Sequence, residues 1–210
     1  RNRNTNIIKR NFGYSREFSV ALGGNIPYAI DRFLVSPGTV EQTLPSPFGI
    51  SSNALAYSRF IKLSADYRRY FDISDNTVFA IRGFAGLAQP IFKSDNIPLS
   101  RRFFAGGSND IRGWNPFRLG PGNLQPDEVT VPGGEIKLSA YKELRQIFLR
   151  DVFSTDWYIA WHTDAGNVWY GPKTSLVDDE GNELLDDGRF YYDEFYNQIA
   201  VGSGLGRRLD

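Results

Sequence analysis

The chain has 210 residues with 24 Lys+Arg against 24 Asp+Glu, so it has no net charge with which to attract nucleic acid or an acidic partner. It contains no cysteine, which excludes disulfide frameworks and thiolate metal sites and suits a compartment where stray thiols oxidise. With 15% aromatic residues and 21 glycines the balance is β-rich and turn-rich, and no apolar run approaches the ~20 residues of a transmembrane helix. The opening RNRNTNIIKR lacks the apolar core of a signal peptide, so the chain is expected to follow any targeting segment or to be a piece of something larger. Nothing in the composition marks an internal boundary, and a single domain over 1–210 is expected. Low average hydropathy does not argue for solubility, because a membrane barrel hides its apolar face in every second residue.

Taken in chain order, a first strand is expected over Ser15–Leu22, less cleanly patterned than those that follow. Tyr28–Leu34 reads as a short amphipathic turn in the first long loop, with no function attached. Ile61–Phe71 alternates, with Ile61, Leu63, Ala65 and Tyr67 on one face and Lys62, Ser64, Asp66 and Arg68 on the other. Asp72–Asn76 is a compact polar turn, after which Thr77–Ile91 sets Phe79, Ile81, Ala85 and Leu87 opposite Arg82. Glu135–Phe148 places Ile136, Leu138, Ala140 and Leu144 on one face. Glu135, Lys137, Ser139, Tyr141, Glu143 and Arg145 lie on the other. Trp157–Trp169 sets Trp157, Ile159 and Trp161 against Tyr158, Ala160, His162 and Asp164. A last run, Tyr196–Leu205, sets Ile199, Val201 and Leu205 against Gln198, Ala200, Gly202 and Gly204.

The connections between these runs alternate long and short: Gly23–Tyr57, Asp72–Asn76, Phe92–Gly134, Leu149–Asp156 and Tyr170–Phe195. Compact soluble domains rarely tolerate links beyond about 15 residues unless these are functional, and soluble sandwiches turn every ~8–12 residues. Short turns at one rim and long loops at the other are the asymmetry of outer-membrane barrels, as are strands of about ten residues or more. Tyr70, Trp157, Trp169 and Tyr170, at strand ends, are candidates for an interfacial girdle. The expected fold is therefore all-β: an antiparallel transmembrane β-barrel portion with long extracellular loops. Six strands cannot close a lipid-facing barrel, for which at least about eight are needed, so an incomplete stretch of a larger barrel is expected.

Within the loop Phe92–Gly134 lies RRFFAGGSNDIRGW (Arg101–Trp114). Gly106 and Gly107 permit a tight turn, Gly113 frees the chain beside Arg112, and Gly120-Pro121-Gly122 rigidifies the exit. Arg112 stands between Ile111 and Gly113-Trp114, unusual surroundings for an arginine simply facing water. Its fork of donors can engage two carboxylates at once. Glu143, in GGEIKLSAYKEL, and Asp164, in WHTDAGNVW, fall on the polar faces of consecutive strands and could converge on one lumenal spot. Taken singly, Arg112 reads as a solvated loop arginine, and Glu143 and Asp164 as wet positions paired with Lys137 or Arg145. His162 shares a face with Asp164, but no serine stands in a nucleophile's context, so no catalytic role is assigned. The acidic Asp178–Asp187 lacks calcium-loop spacing and reads as a solvated extracellular loop.

FFAGGSNDIRGW, the LGPG after it, GGEIKLSAYKELR and DAGNVW, in this order and spacing, resemble the BamA/TamA-like superfamily of outer-membrane assembly and translocation barrels. The resemblance runs from about Ser58 to Arg207. It implies a C-terminal barrel portion of roughly sixteen strands in all, preceded by POTRA domains and completed by other strands and a closing strand, none of which lies in this chain. It also implies that Arg112, Gly113 and Trp114 tip a loop folded into the lumen, where the arginine meets Glu143 and Asp164. Trp114 departs from the family's commoner Phe or Tyr. The function implied is assembly or insertion of outer-membrane proteins, without ATP, cofactor, metal or enzymatic step. Implied partners are outer-membrane lipids, unfolded client proteins and periplasmic or lipoprotein accessory subunits. Two alternatives stay open: a two-partner-secretion translocator and a passive porin.

Overall fold

In the computed structural model, residues 13–35, 43–44, 55–92, 94, 96–125, 132–152, 155–172 and 188–209 are described. The acidic stretch at 178–187 and the N-terminal decapeptide lie outside them. The strands are β1 (Tyr14–Gly23), β2 (Thr43–Leu44), β3 (Leu55–Ala56), β4 (Phe60–Ser74), β5 (Thr77–Pro90), β6 (Ile136–Val152), β7 (Thr155–Trp169) and β8 (Ala200–Leu209). Six of them form one antiparallel sheet in the order β1-β4-β5-β6-β7-β8, while β2 and β3 pair separately as a short ribbon. Each long strand therefore pairs with its sequence neighbour, the up-and-down order of a barrel wall. At 14 to 17 residues, β4 to β7 exceed what a tilted membrane crossing requires.

Period 2 sorts the side chains onto two faces. One register row links Phe18, Ala65, Ala85 and Leu138, and the next row toward the loop end links Val20, Leu63, Leu87 and Ile136. Phe18 is 82% exposed, and Val20, Leu22, Val201 and Leu205 are also open on this face. A face of large apolar side chains with nothing packed on it is the lipid-facing side of a barrel wall.

The opposite face is not uniformly polar. Toward the long-loop rim, Phe60, Ala88 and Val168 point inward and pack with the loop residues Ile97, Phe103, Ala105, Ile111 and Leu119 in one buried cluster. Phe84 meets Phe103 edge to face at 5.9 Å. A Cβ on Gly86 would stand 2.5 Å from the Phe103 ring, so the strand glycine makes room for it. Toward the short-turn rim the same face is charged: Asp66 is bracketed by Arg82 at 2.7 Å and Arg68 at 2.9 Å.

Two expectations need correction. The final strand begins at Ala200, because Phe195–Gln198 form a 3-10 turn. There Phe195 stacks on Phe190 at 5.3 Å, and Gln198 Oε1 accepts a 2.5 Å bond from Trp169 Nε1. The same cluster buries Trp169 and Tyr170, and Tyr70 falls on the inward face, so these three form no lipid-facing girdle.

Candidate functional site: a loop held inside the barrel

The loop between β5 and β6 enters the lumen along a series of stapled positions. At its base, buried Arg102 and Glu135 pair at 3.0 Å, and Glu135 Oε2 accepts from the Gly171 backbone at 2.9 Å. Phe103 and Gly134 exchange two backbone bonds of 2.8 Å, which closes the loop as a narrow ribbon. Lys62 of β4 donates to the Arg101 carbonyl at 2.7 Å. On the return, Gly122 N donates to the Val168 carbonyl at 2.8 Å, and Asn167 Nδ2 donates to the Gly122 carbonyl at 2.8 Å and the Gln198 carbonyl at 2.6 Å. Asn167 lies just past the Gly166–Ala200 pair that ends the β7–β8 ladder.

The loop's glycines serve its turns. Gly106, Gly107, Gly120 and Gly122 have φ of 97°, 104°, 73° and 54°, and a Cβ on Gly106 would meet the Asn115 carbonyl at 2.3 Å. Gly113 does not share this role: it is absent from the positive-φ glycines, and a Cβ there would make ordinary contact, 3.6 Å from Gly202 Cα.

At the tip, Arg112 donates from Nε and Nη2 to the two oxygens of Asp164, at 2.6 and 2.7 Å, and from its backbone N to Asp164 at 3.2 Å. Nη1 reaches Glu143 Oε2 at 2.6 Å. The Arg112 side chain is 21% exposed and that of Asp164 fully buried. These bonds to Asp164, together with Glu143, hold the Arg112 guanidinium further above its already high range, against the opposing effect of burial. Parity explains the convergence. Glu143 lies opposite His162 and Tyr141 opposite Asp164 in the β6–β7 register, so both acids face inward one pair apart. Glu143 has a second cation, Arg145 Nε at 2.7 Å. Trp114 packs beside the buried loop cluster and Gly202. The five residues Arg112, Gly113, Trp114, Glu143 and Asp164 are thus gathered at one lumenal position.

A second anchor escaped the sequence reading. Asp110 accepts from the Gly106 backbone at 2.9 Å, from Lys137 Nζ at 2.8 Å and from the Tyr141 hydroxyl. Lys137 also donates to the Phe104 carbonyl at 2.6 Å. The available signal was parity, since Lys137 and Tyr141 share the inward face with Glu143, and Asp110 precedes Arg112 by two residues. Below the tip, Arg68, Arg82, Asp110, Arg112, Glu143 and Arg145 border a polar cavity of about 190 Å³.

Comparison with known proteins agrees with the fold. The crystal structure of BamA from Haemophilus ducreyi lacking POTRA domains 1–3 is similar, with a TM-score of 0.59 at 18% identity. The match covers 96% of this chain and 34% of that one, so the present chain spans about a third of its length. No curated protein sequence matches the chain. Residues 38–210 match the Omp85 superfamily domain. The chain is part of a bacterial outer-membrane β-barrel and belongs to the Omp85 superfamily.

Proposed function

We propose that the protein containing this chain inserts or assembles other β-barrel or surface proteins in the outer membrane. The observation behind this reading is the three-way contact of Arg112 with Asp164 and Glu143, which holds the tip of the β5–β6 loop against the inner wall. A loop held by charge-assisted bonds, with an apolar cluster behind it, is a rigid lumenal element. It keeps β6 and β7 in register with the rest of the wall while strands elsewhere in the barrel open. Insertion needs no ATP in this scheme: a weakly paired seam offers unsatisfied backbone groups that template an incoming strand. The seam belongs to strands outside this chain, and the residues described here act as its fixed support. Client polypeptides, lipids and accessory subunits are the partners this role requires. The loop packed on this stretch of the inner wall argues against a passive porin.

The test is the outer-membrane proteome of cells whose only copy of the full-length protein is wild type or Arg112→Ala, at matched expression. A joint fall of many unrelated barrel proteins is expected. Loss of a single secreted protein would transfer the reading to a dedicated translocator, and an unchanged proteome would overturn the role of the lock.

A further inference from the structure

The amphipathic turn noted in the first long loop is a helix of unusual exposure. Asn25–Ile30 is α-helical and Asp31–Val35 continues it as a wider π turn. Its largest apolar side chains face away from the protein: Ile26 is 76%, Phe33 70% and Leu34 77% exposed, and Ile30 is also open. Positions 26, 30, 33 and 34 form one stripe at helical spacing, while Tyr28 and Asp31 fall on the opposite side. A water-facing helix would invert this arrangement.

The polar side is tied to the barrel rim. Asp31 is fully buried and accepts from the Tyr57 hydroxyl at 2.8 Å. Arg59 donates to Asn25 Oδ1 at 3.3 Å from Nε and 3.1 Å from Nη2. Its guanidinium lies 3.9 Å from the Tyr28 ring centroid and 3.8 Å from that of Phe92. Gly24, at φ 76°, makes the turn from β1, and a Cβ there would lie 2.2 Å from the Ser58 carbonyl oxygen, so the helix is held close to the start of β4. Arg59 adjoins β4 directly, its carbonyl accepting from Ile91 N at 2.9 Å, so the tethered helix sits at the loop end of β4. Leu22, two residues before Gly24, is itself an exposed lipid-facing residue. The apolar stripe therefore continues an existing lipid interface past the top of β1 and β4.

We propose that Asn25–Val35 is an interfacial anchor that lays Ile26, Ile30, Phe33 and Leu34 into the outer leaflet beside the rim. The occupant of this surface is membrane hydrocarbon. The helix lies in the plane of the interface, with its apolar side buried roughly 5–10 Å into the headgroup–acyl boundary, as amphipathic helices of this kind do. It fixes the height of the wall in the bilayer at the end where the loops are long.

The chain contains no cysteine, so single cysteines can be labelled selectively in the full-length protein once any cysteine elsewhere is replaced. An environment-sensitive fluorophore is placed at Phe33→Cys and, separately, Leu34→Cys. Phe18→Cys serves as the lipid-facing reference and Arg32→Cys as the water-facing one. The proteins are reconstituted in phosphatidylethanolamine–phosphatidylglycerol vesicles and quenched by spin-labelled lipids or by aqueous iodide. Labels at 33 and 34 should follow the Phe18 reference, with blue-shifted emission, strong lipid quenching and severalfold less iodide quenching than at 32. Iodide quenching equal to that at 32 would overturn the anchor. So would protection from both quenchers, which would mean that protein covers the stripe. Neither outcome bears on the assembly reading, which rests on other residues.

Discussion

Asp164 and Glu143 are unequal partners for Arg112. Among the described residues the hydrogen bonds to Asp164 all come from Arg112, and its side chain is fully buried. Glu143 keeps Arg145 when Arg112 is removed. Arg112→Ala therefore strands one buried carboxylate, for which a cost of about 3 kcal/mol is expected, lessened by whatever water the lumen admits. The inequality makes a sharper prediction than the size of the loss. In Arg112→Ala, a second change Asp164→Asn should restore part of the lost stability, because it neutralises the stranded charge. Glu143→Gln should restore none. Urea midpoints of the refolded full-length variants decide the matter, and equal effects of the two second-site changes would refute this asymmetry. Arg112→Lys should recover little, since a point charge cannot serve the two oxygens of Asp164 and Glu143 together.

At the scale of the element, the strands were legible in the sequence and the loop interior was not. Alternation fixes which side of a strand a residue takes, so the shared inward face of Glu143 and Asp164 followed from counting. The loop's core has neither a strand nor a helix period: Ile97, Phe103, Ala105, Ile111 and Leu119 follow at intervals of 6, 2, 6 and 8 residues, and their partners Phe60, Phe84 and Val168 stand on the face a barrel is assumed to keep wet. Asp110 was hidden for a related reason, because its partners Lys137 and Tyr141 read equally well as solvated positions. Its anchor can be tested alone. Asp110→Asn should weaken the grip on Lys137, leave the Arg112 contacts in place and lower the urea midpoint by less than Arg112→Ala. The helix Asn25–Val35 has a titrating tether as well. Burial and the Asp31 carboxylate push the Tyr57 hydroxyl from 10.0 up to about 12. Since the folded value is the higher one, this tether stabilises fully below pH 10.0 and is lost as the pH rises through about 12. Spectrophotometric titration of wild type minus Tyr57→Phe should show one phenol ionising near 12; ionisation near the ordinary value would mean that the tether is absent.

Over the whole molecule, the lumenal loop touches the wall from Lys62 on β4 to the inward face of β8, so its seating depends on a strand far from its own ends. That strand presents Gly202, Gly204 and Gly206 inward at alternate positions, a flat track with no side chains. A Cβ on Gly202 would stand 3.3 Å from Gly113 N and 3.4 Å from both Gly113 Cα and Trp114 Cζ3, and the further carbons of a valine could only push the loop away. A Cβ on Gly206 meets nothing within 4 Å, although it lies on the same face of the same strand. The pair is therefore a controlled experiment on the loop's seat, with strand propensity and lumen-facing polarity held equal. Gly202→Val should speed amide hydrogen exchange across the 103–119 segment severalfold in the folded full-length protein, whereas Gly206→Val should leave it unchanged. If both variants exchange alike, the loop's position is set by its Arg112 and Asp110 anchors alone and the flatness of β8 is incidental. If only Gly202→Val loosens it, the glycine track and the charged lock act on the same element from two sides. This part of the barrel wall then keeps its shape through two independent constraints.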